Sequence, residues 1–175
     1  MSSFSNVSDL KPFKNMWKIK VKIIQLWKQY SATTGETIKM ILIDAKGDKI
    51  QATIKNALIG TFRDQLEEGM SRIIINFSLF HSAGMYRTTT HPYRIAFIPN
   101  TRVRIWGIPL PDELNGFSPV KFGDIHDGNL DENYLVDVVG QLVNVTQLED
   151  VPVNGKDTKK ITVELRDERN YLPTK

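Results

Sequence analysis

Thr37 to Ile54, TIKMILIDAKGDKIQATI, is the stretch on which the fold turns. Two runs rich in isoleucine flank Ala45-Lys46-Gly47-Asp48, a polar corner centred on glycine, and this is a hairpin signal. In the second run Ile50, Ala52 and Ile54 alternate with Lys49, Gln51 and Thr53, so one face is apolar and the other polar and cationic. The first run is apolar on both parities, which predicts cover on both sides for part of its length.

Upstream, Trp17 to Trp27, WKIKVKIIQLW, alternates Trp17, Ile19, Val21 and Ile23 with Lys18, Lys20 and Lys22. The consecutive Ile23 and Ile24 shift the phase, as a bulge does where a long strand bends around a barrel. The three lysines read as a solvated outer face, and Trp17 and Trp27 as core. Lys28 to Glu36 reads as a polar loop, and MSSFSNVSDLKPF, lacking an apolar cluster, as a flexible arm over residues 1–15. Downstream, NALIGTFRDQLEEG predicts a helix capped by Asn56 and ended by Gly69, with Leu58, Ile59, Phe62 and Leu66 as its apolar stripe. Arg72 to Phe80 reads as a strand. HSAGMYRTTTHP is a long loop, and Tyr93 to Phe97 and Thr101 to Trp106 supply the last strand, interrupted at Pro99-Asn100.

Three strands, a helix and closing strands give an all-β chain, a five-stranded OB-fold Greek-key barrel with one helix between strands 3 and 4. The barrel is expected over residues 16–106. Gly107 to Pro119 is dense in Pro and Gly, so residues 107–120 read as a linker. Tyr134 to Gln147 with a bend at Gly140, a turn over Val151 to Asp157, and Lys160 to Leu165 make residues 121–175 a partial second OB-like unit. Two strands cannot satisfy their own edges, so this unit is expected to need cover from the first domain, a second copy or further sequence.

Composition narrows the chemistry. The chain has 175 residues and no cysteine, which excludes disulfides, thiolate metal sites and a cysteine nucleophile, and predicts a reducing compartment. No apolar run is long enough for a transmembrane helix, and no membrane partner is expected. The net charge of +3 hides a division: residues 1–110 carry 16 Lys and Arg against 7 Asp and Glu, residues 111–175 carry 7 against 13. A basic first half predicts a polyanionic partner. No Gly-rich phosphate loop, nucleophile elbow or HExxH motif appears, and His81, His91 and His126 lack the spacing of a metal set. No cofactor and no enzymatic activity are expected.

The order WKIKVKIIQLW, MILIDAKGDKIQATI, LEEGMSRIIINFSLF, YRTTTHPYRIAF, Ile108-Pro109 and LVDVVG resembles the plant family of replication protein A large-subunit-like proteins over roughly residues 16–145. The resemblance implies the first OB-fold of that family and the opening of the next. It further implies a nuclear single-stranded DNA-binding role in replication, repair or recombination, with other replication protein A subunits as protein contacts; the unpaired edges of the incomplete unit add self-association as a further expected contact.

Single strands are held by a cationic groove along the phosphates and by aromatic rings on which bases stack. In an OB-fold that groove crosses strands two and three between two flanking loops. The candidates are Lys39, Lys49 and Gln51 with Thr53 on the strands, Lys28 and Tyr30 in the first loop, and Phe80, His81, Tyr86, Arg87 and His91 at the second. Lys39, Lys49 and Arg87 would neutralise phosphates, and Tyr86, with Phe80 or Tyr30, would stack. Arg94, Arg102 and Arg104 read as solvating the barrel. The rival expectation is a protein-interaction module whose basic groove takes an acidic segment; RNA binding and a truncated copy without DNA affinity are further alternatives.

Overall fold

The structure, a computed structural model, describes residues 3–14, 16–153, 156–167 and 171–174. Tertiary contacts divide the chain into two compact units, Met1–Gly116 with Glu132–Leu135, and Phe117–Asp131 with Val136–Lys175.

The first unit is built on one curled sheet. Its strands are β1 (Lys18–Ser31), β2 (Gly35–Ile43), β3 (Lys49–Lys55), β4 (Ser71–Ile75), β5 (Ser78–His81), β6 (Tyr93–Ala96) and β7 (Arg102–Ile105), in the order β5-β6-β3-β2-β1-β4-β7. Every pairing is antiparallel except β3 with β6. β4 and β5 are two halves of one bent strand, and β6 and β7 two halves of another, so the seven segments trace the five strands of an OB-fold half-barrel. Helix α1 (Asn56–Phe62) lies between the third and fourth of these strands, as the sequence predicts.

Both bends are held at one corner. Asn76 adopts a left-handed φ of 59°, a region asparagine tolerates better than most residues. Its backbone N–H donates to Trp17 O at 2.9 Å, and Thr101 Oγ1 donates to Asn76 O at 2.7 Å. Thr101 Oγ1 also accepts the Ile98 N–H at 2.9 Å. One hydroxyl thus ties the bend after β4 to the bend after β6.

The core follows the alternation. Ile19, Val21, Ile23, Ile38, Met40, Leu42, Ile50, Ala52 and Ile54 are buried, and Ile59, Phe62 and Leu66 plug the barrel from α1 and the turn after it. Each fully buried isoleucine contributes about 1.5–3 kcal/mol over an exposed one. Asn56 is the first helical residue, with Lys55 at the cap position and no side-chain cap bond, so packing rather than capping sets this short helix.

The β2–β3 turn is organised by Asp44. Its buried carboxylate accepts the N–H groups of Lys46 at 2.9 Å and Asp48 at 3.1 Å through Oδ1, and of Val7 at 2.7 Å through Oδ2. That last bond corrects the reading of the N-terminal stretch as a flexible arm. A 3-10 turn at Val7–Asp9 places Val7 and Leu10, three residues apart, in the core. Two isolated apolar residues make no periodic signal, so pattern reading has no access to their burial. Met1, Ser2 and Asn15 of that stretch lie outside the described residues.

Two further expectations are corrected. Lys28 to Glu36 is not a loop: the β1–β2 ladder continues through Tyr30↔Glu36 to Ser31↔Gly35, leaving residues 32–34 as the turn. The lysines of β1 are not a bare solvated face. Lys22 is buried, and Lys18 and Lys20 lie 4.4 Å over the rings of Phe4 and Trp106, which meet edge to face at 5.2 Å.

The second unit contains α2 (Phe122–His126), β8 (Gln141–Val145), β9 (Glu149–Val153), β10 (Lys156–Lys160), β11 (Val163–Arg166) and β12 (Tyr171–Thr174). β9 and β10 form a two-stranded ribbon; β12, β11 and β8 form a three-stranded sheet. Of the strand expected over Tyr134 to Gln147 only β8 forms, and Lys160 to Leu165 is split between β10 and β11. The tip of the expected Val151 to Asp157 turn, residues 154–155, lies outside the described residues. Gly140 is required where it stands, because a Cβ there would meet Phe122 Cζ at 2.9 Å and Arg166 O at 3.1 Å.

Candidate nucleic-acid interface

The outer face of the first sheet is fixed by register. Residues directly opposite one another share a face. Trp27 pairs with Lys39 and Lys39 with Thr53; Gln25 pairs with Ile41 and Ile41 with Gln51; Lys22 pairs with Ile43 and Ile43 with Lys49. These three rows cross β1, β2 and β3 on the side away from the core. The bulge between Ile23 and Gln25 creates this arrangement. Before it the odd residues of β1 face the core; after it Leu26 faces the core opposite buried Met40, and Trp27 turns outward. Trp27, expected in the core, is thereby corrected to an outer-face residue.

Phe80 joins the same face from β5. Leu79 packs against the core opposite Ile95, so Phe80 and its cross-strand partner Arg94 point outward, and Phe80 is 53% exposed. Thr53 is paired with Ala96 of β6, two residues from Arg94. The open part of the face therefore carries two cross-strand aromatic–cation pairs, Trp27 with Lys39 and Phe80 with Arg94. In each pair a ring with a π-face stands beside a cation, the combination that single-strand binding uses.

One end of the face is covered by the chain itself. Leu110 is buried and its N–H donates to Ser71 Oγ at 2.8 Å. Lys22 Nζ donates to Pro111 O at 3.1 Å and pairs with Asp112 Oδ1 at 3.0 Å. Lys49 Nζ donates to Gly116 O at 2.7 Å. Residues 110–116, expected as part of a linker, thus run over the barrel along the Lys22–Ile43–Lys49 row. Gly116 has a φ of 74°, and a Cβ there would collide with Ile24 Cδ1, so only glycine fits.

The sequence candidates divide accordingly. Lys39 and Gln51 lie on the outer face, and Thr88 Oγ1 of the second loop bonds Gln51 Oε1 at 3.2 Å. Lys49 is there but engaged by a carbonyl. Lys28, opposite core-facing Ile38, is on the other parity from Lys39 and pairs with Glu36 at 3.2 Å. Tyr30 shares that parity and is 78% exposed at the hairpin tip. His91 is a packing link, its Nε2 3.0 Å from Val7 O and its Nδ1 accepting the Tyr93 N–H at 3.0 Å. His81 lies 4.9 Å from Tyr93, ring to ring. Tyr86 is exposed in the loop, and Arg87 lies 4.0 Å over the Tyr134 ring. Trp27 is a residue of this face that sequence reasoning places in the core, and Arg94 one that it reads as solvating the barrel in preference to lining the groove. The Ile23-Ile24 phase shift is the signal for Trp27, since it reverses parity for the rest of the strand; the alternation of Arg94 with buried Ile95 is the signal for Arg94.

Residues 8–120 match the model of a family described as Domain of unknown function DUF223. The chain belongs to that family. It is also similar to large subunits of plant replication protein A. It is 23% identical over 171 residues to a replication protein A 70 kDa DNA-binding subunit of Oryza sativa subsp. japonica, covering 92% of this chain and 25% of that protein. It is 27% identical over 169 residues to a replication protein A 70 kDa DNA-binding subunit of Arabidopsis thaliana, covering 92% of this chain and 21% of that protein. The chain therefore spans about a quarter of the length of these relatives. Among solved structures, a chain of a replication protein A heterotrimer bound to ssDNA matches 98% of this chain and 42% of its own length, with a TM-score of 0.60 at 18% identity. That likeness establishes the fold.

Proposed function

We propose that this chain binds single-stranded DNA, without base sequence preference, across the outer face of β1, β2, β3, β5 and β6. The observation that carries the reading is the pair of aromatic–cation couples, Trp27–Lys39 and Phe80–Arg94, on a face that the OB-fold leaves open. Lys39 and Arg94 neutralise phosphates, Trp27 and Phe80 stack bases, and Gln51 and Thr53 supply polar contacts. The similarity to plant replication protein A subunits supports a nuclear role in replication, repair or recombination, beside other subunits of that assembly or a second copy of this chain. The test is a fluorescence titration with an oligo(dT) strand across a salt series, against a duplex of equal length. Binding to the single strand, with a negative log–log salt slope of about 0.7 for each cation engaged, supports the reading. No binding at low salt, or equal preference for duplex, refutes it.

A second reading draws on residues 110–116, which already occupy Lys22 and Lys49 with their own carbonyls and Asp112. A face that accepts an acidic segment of its own chain is suited to accept one from a partner. Saturable binding of an acidic peptide at the Lys39 face, with no affinity for oligo(dT), would favour this alternative.

A further inference from the structure

The loop between β5 and β6 is fastened to residues outside the barrel strands. The Arg87 N–H donates to Asn133 O at 2.7 Å, and the Leu135 N–H donates to Arg87 O at 2.9 Å, forming an isolated parallel bridge between Arg87 and Tyr134. Both backbone groups of Arg87 are thus consumed. Its guanidinium lies 4.0 Å over the centre of the Tyr134 ring. Immediately before it, Tyr86 adopts a φ of 60° and leaves its ring 66% exposed.

A bulky residue in the left-handed region is an outlier that persists only where its surroundings over-determine it. The Arg87–Tyr134 bridge lies one residue away from Tyr86. We propose that Tyr134 is a positioning residue: through Arg87 it holds the loop so that the Tyr86 ring projects as a pre-formed base-stacking platform. Arg87 accordingly serves the loop rather than a phosphate. The inference rests on the single-stranded DNA reading given above and deepens it, because it assigns a role to a residue more than 25 positions beyond the last barrel strand.

Oligo(dT) titrations of the full chain across a salt series test it, using Y134A, Y134F, Y86A, R87Q and the Y86A/Y134A double variant. Y134A weakens binding about fivefold, near the lower end of what loss of one stacked base costs, and Y134F restores it. The double variant is no weaker than Y86A, because both changes remove the same contact. R87Q weakens binding but leaves the salt slope unchanged. Amide exchange at Arg87 and Leu135 rises in Y134A and not in Y134F, which reads the loop without DNA. Wild-type affinity in Y134A, additive losses in the double variant, or a shallower salt slope in R87Q by about 0.7 overturns the proposal. Failure of the wild-type chain to bind oligo(dT) removes the underlying reading and this inference with it, whereas tight wild-type binding with unaltered Y134A removes this inference alone.

Discussion

Replacing Lys39 by glutamine separates a working cation from a decorative one. Lys39 sits between Trp27 on β1 and Thr53 on β3, and no acidic side chain pairs with it among the described residues. A phosphate held about 4 Å from its ammonium, at an effective dielectric between that of a protein surface and that of water, contributes about 1–4 kcal/mol. The exposed setting favours the lower end, so K39Q should weaken oligo(dT) binding about five- to tenfold at low salt. It should also make the log–log salt slope shallower by about 0.7, one counterion's worth on a single strand. Lys49 provides the internal control: its ammonium is already satisfied by Gly116 O at 2.7 Å, so K49Q should change the slope by less. Both lysines lie on the outer face and glutamine keeps the inner half of the aliphatic stem, so neither change should move the unfolding midpoint appreciably. Fluorescence titration at four or more salt concentrations measures both affinity and slope. A K39Q chain with the wild-type slope, or a larger slope change in K49Q than in K39Q, would refute the placement of the phosphate path along the Trp27–Lys39–Thr53 row.

Trp27→Ala should cost about 1–3 kcal/mol of binding, the loss of one stacked base, while a core truncation such as Ile23→Ala should instead cost about 2–5 kcal/mol of stability. Titration and urea unfolding of both variants check this, and a W27A chain that loses stability like I23A would make Trp27 a core residue. Asp44→Ala removes an acceptor from three N–H groups and should destabilise the fold by about 3 kcal/mol or more, read as a lower urea midpoint. Gly116→Ala drives a methyl into Ile24 and strains a left-handed φ, so residues 110–116 should lift from the barrel and become sensitive to limited proteolysis, with the midpoint of the barrel little changed.

Alternation along β1 and β3, the glycine corner at Gly47 and the stripe of α1 make the barrel legible in the sequence, because each is a local pattern imposed by burial of one face. The paired interruptions after β4 and β6 are half legible: Pro99-Asn100 marks one, whereas Asn76 bends its strand without any proline or glycine to announce it. What stays hidden depends on long-range contacts. Val7 is buried because Asp44, far along the chain, accepts its N–H, and residues 110–116 lie on the barrel because Lys22, Ser71 and Lys49 meet them there. The site reads unevenly for a related reason. Lys39 and Gln51 follow from strand parity alone, but Trp27, Lys28 and Tyr30 need the phase shift at Ile23-Ile24 carried through the following residues, and Arg87 needs Tyr134, which no local pattern connects to it.

The extra residue in β1 lets a single strand serve two masters, its first half giving odd positions to the interior and its second half giving even ones. A strand that keeps Ile19, Val21 and Ile23 inside and Trp27 outside therefore needs the extra residue at Ile24. Were Ile24 taken into a regular ladder in place of the bulge, the indole would turn inward and Leu26 would meet water, whereas deleting Ile24 would close the ladder and leave both side chains on the faces they now hold.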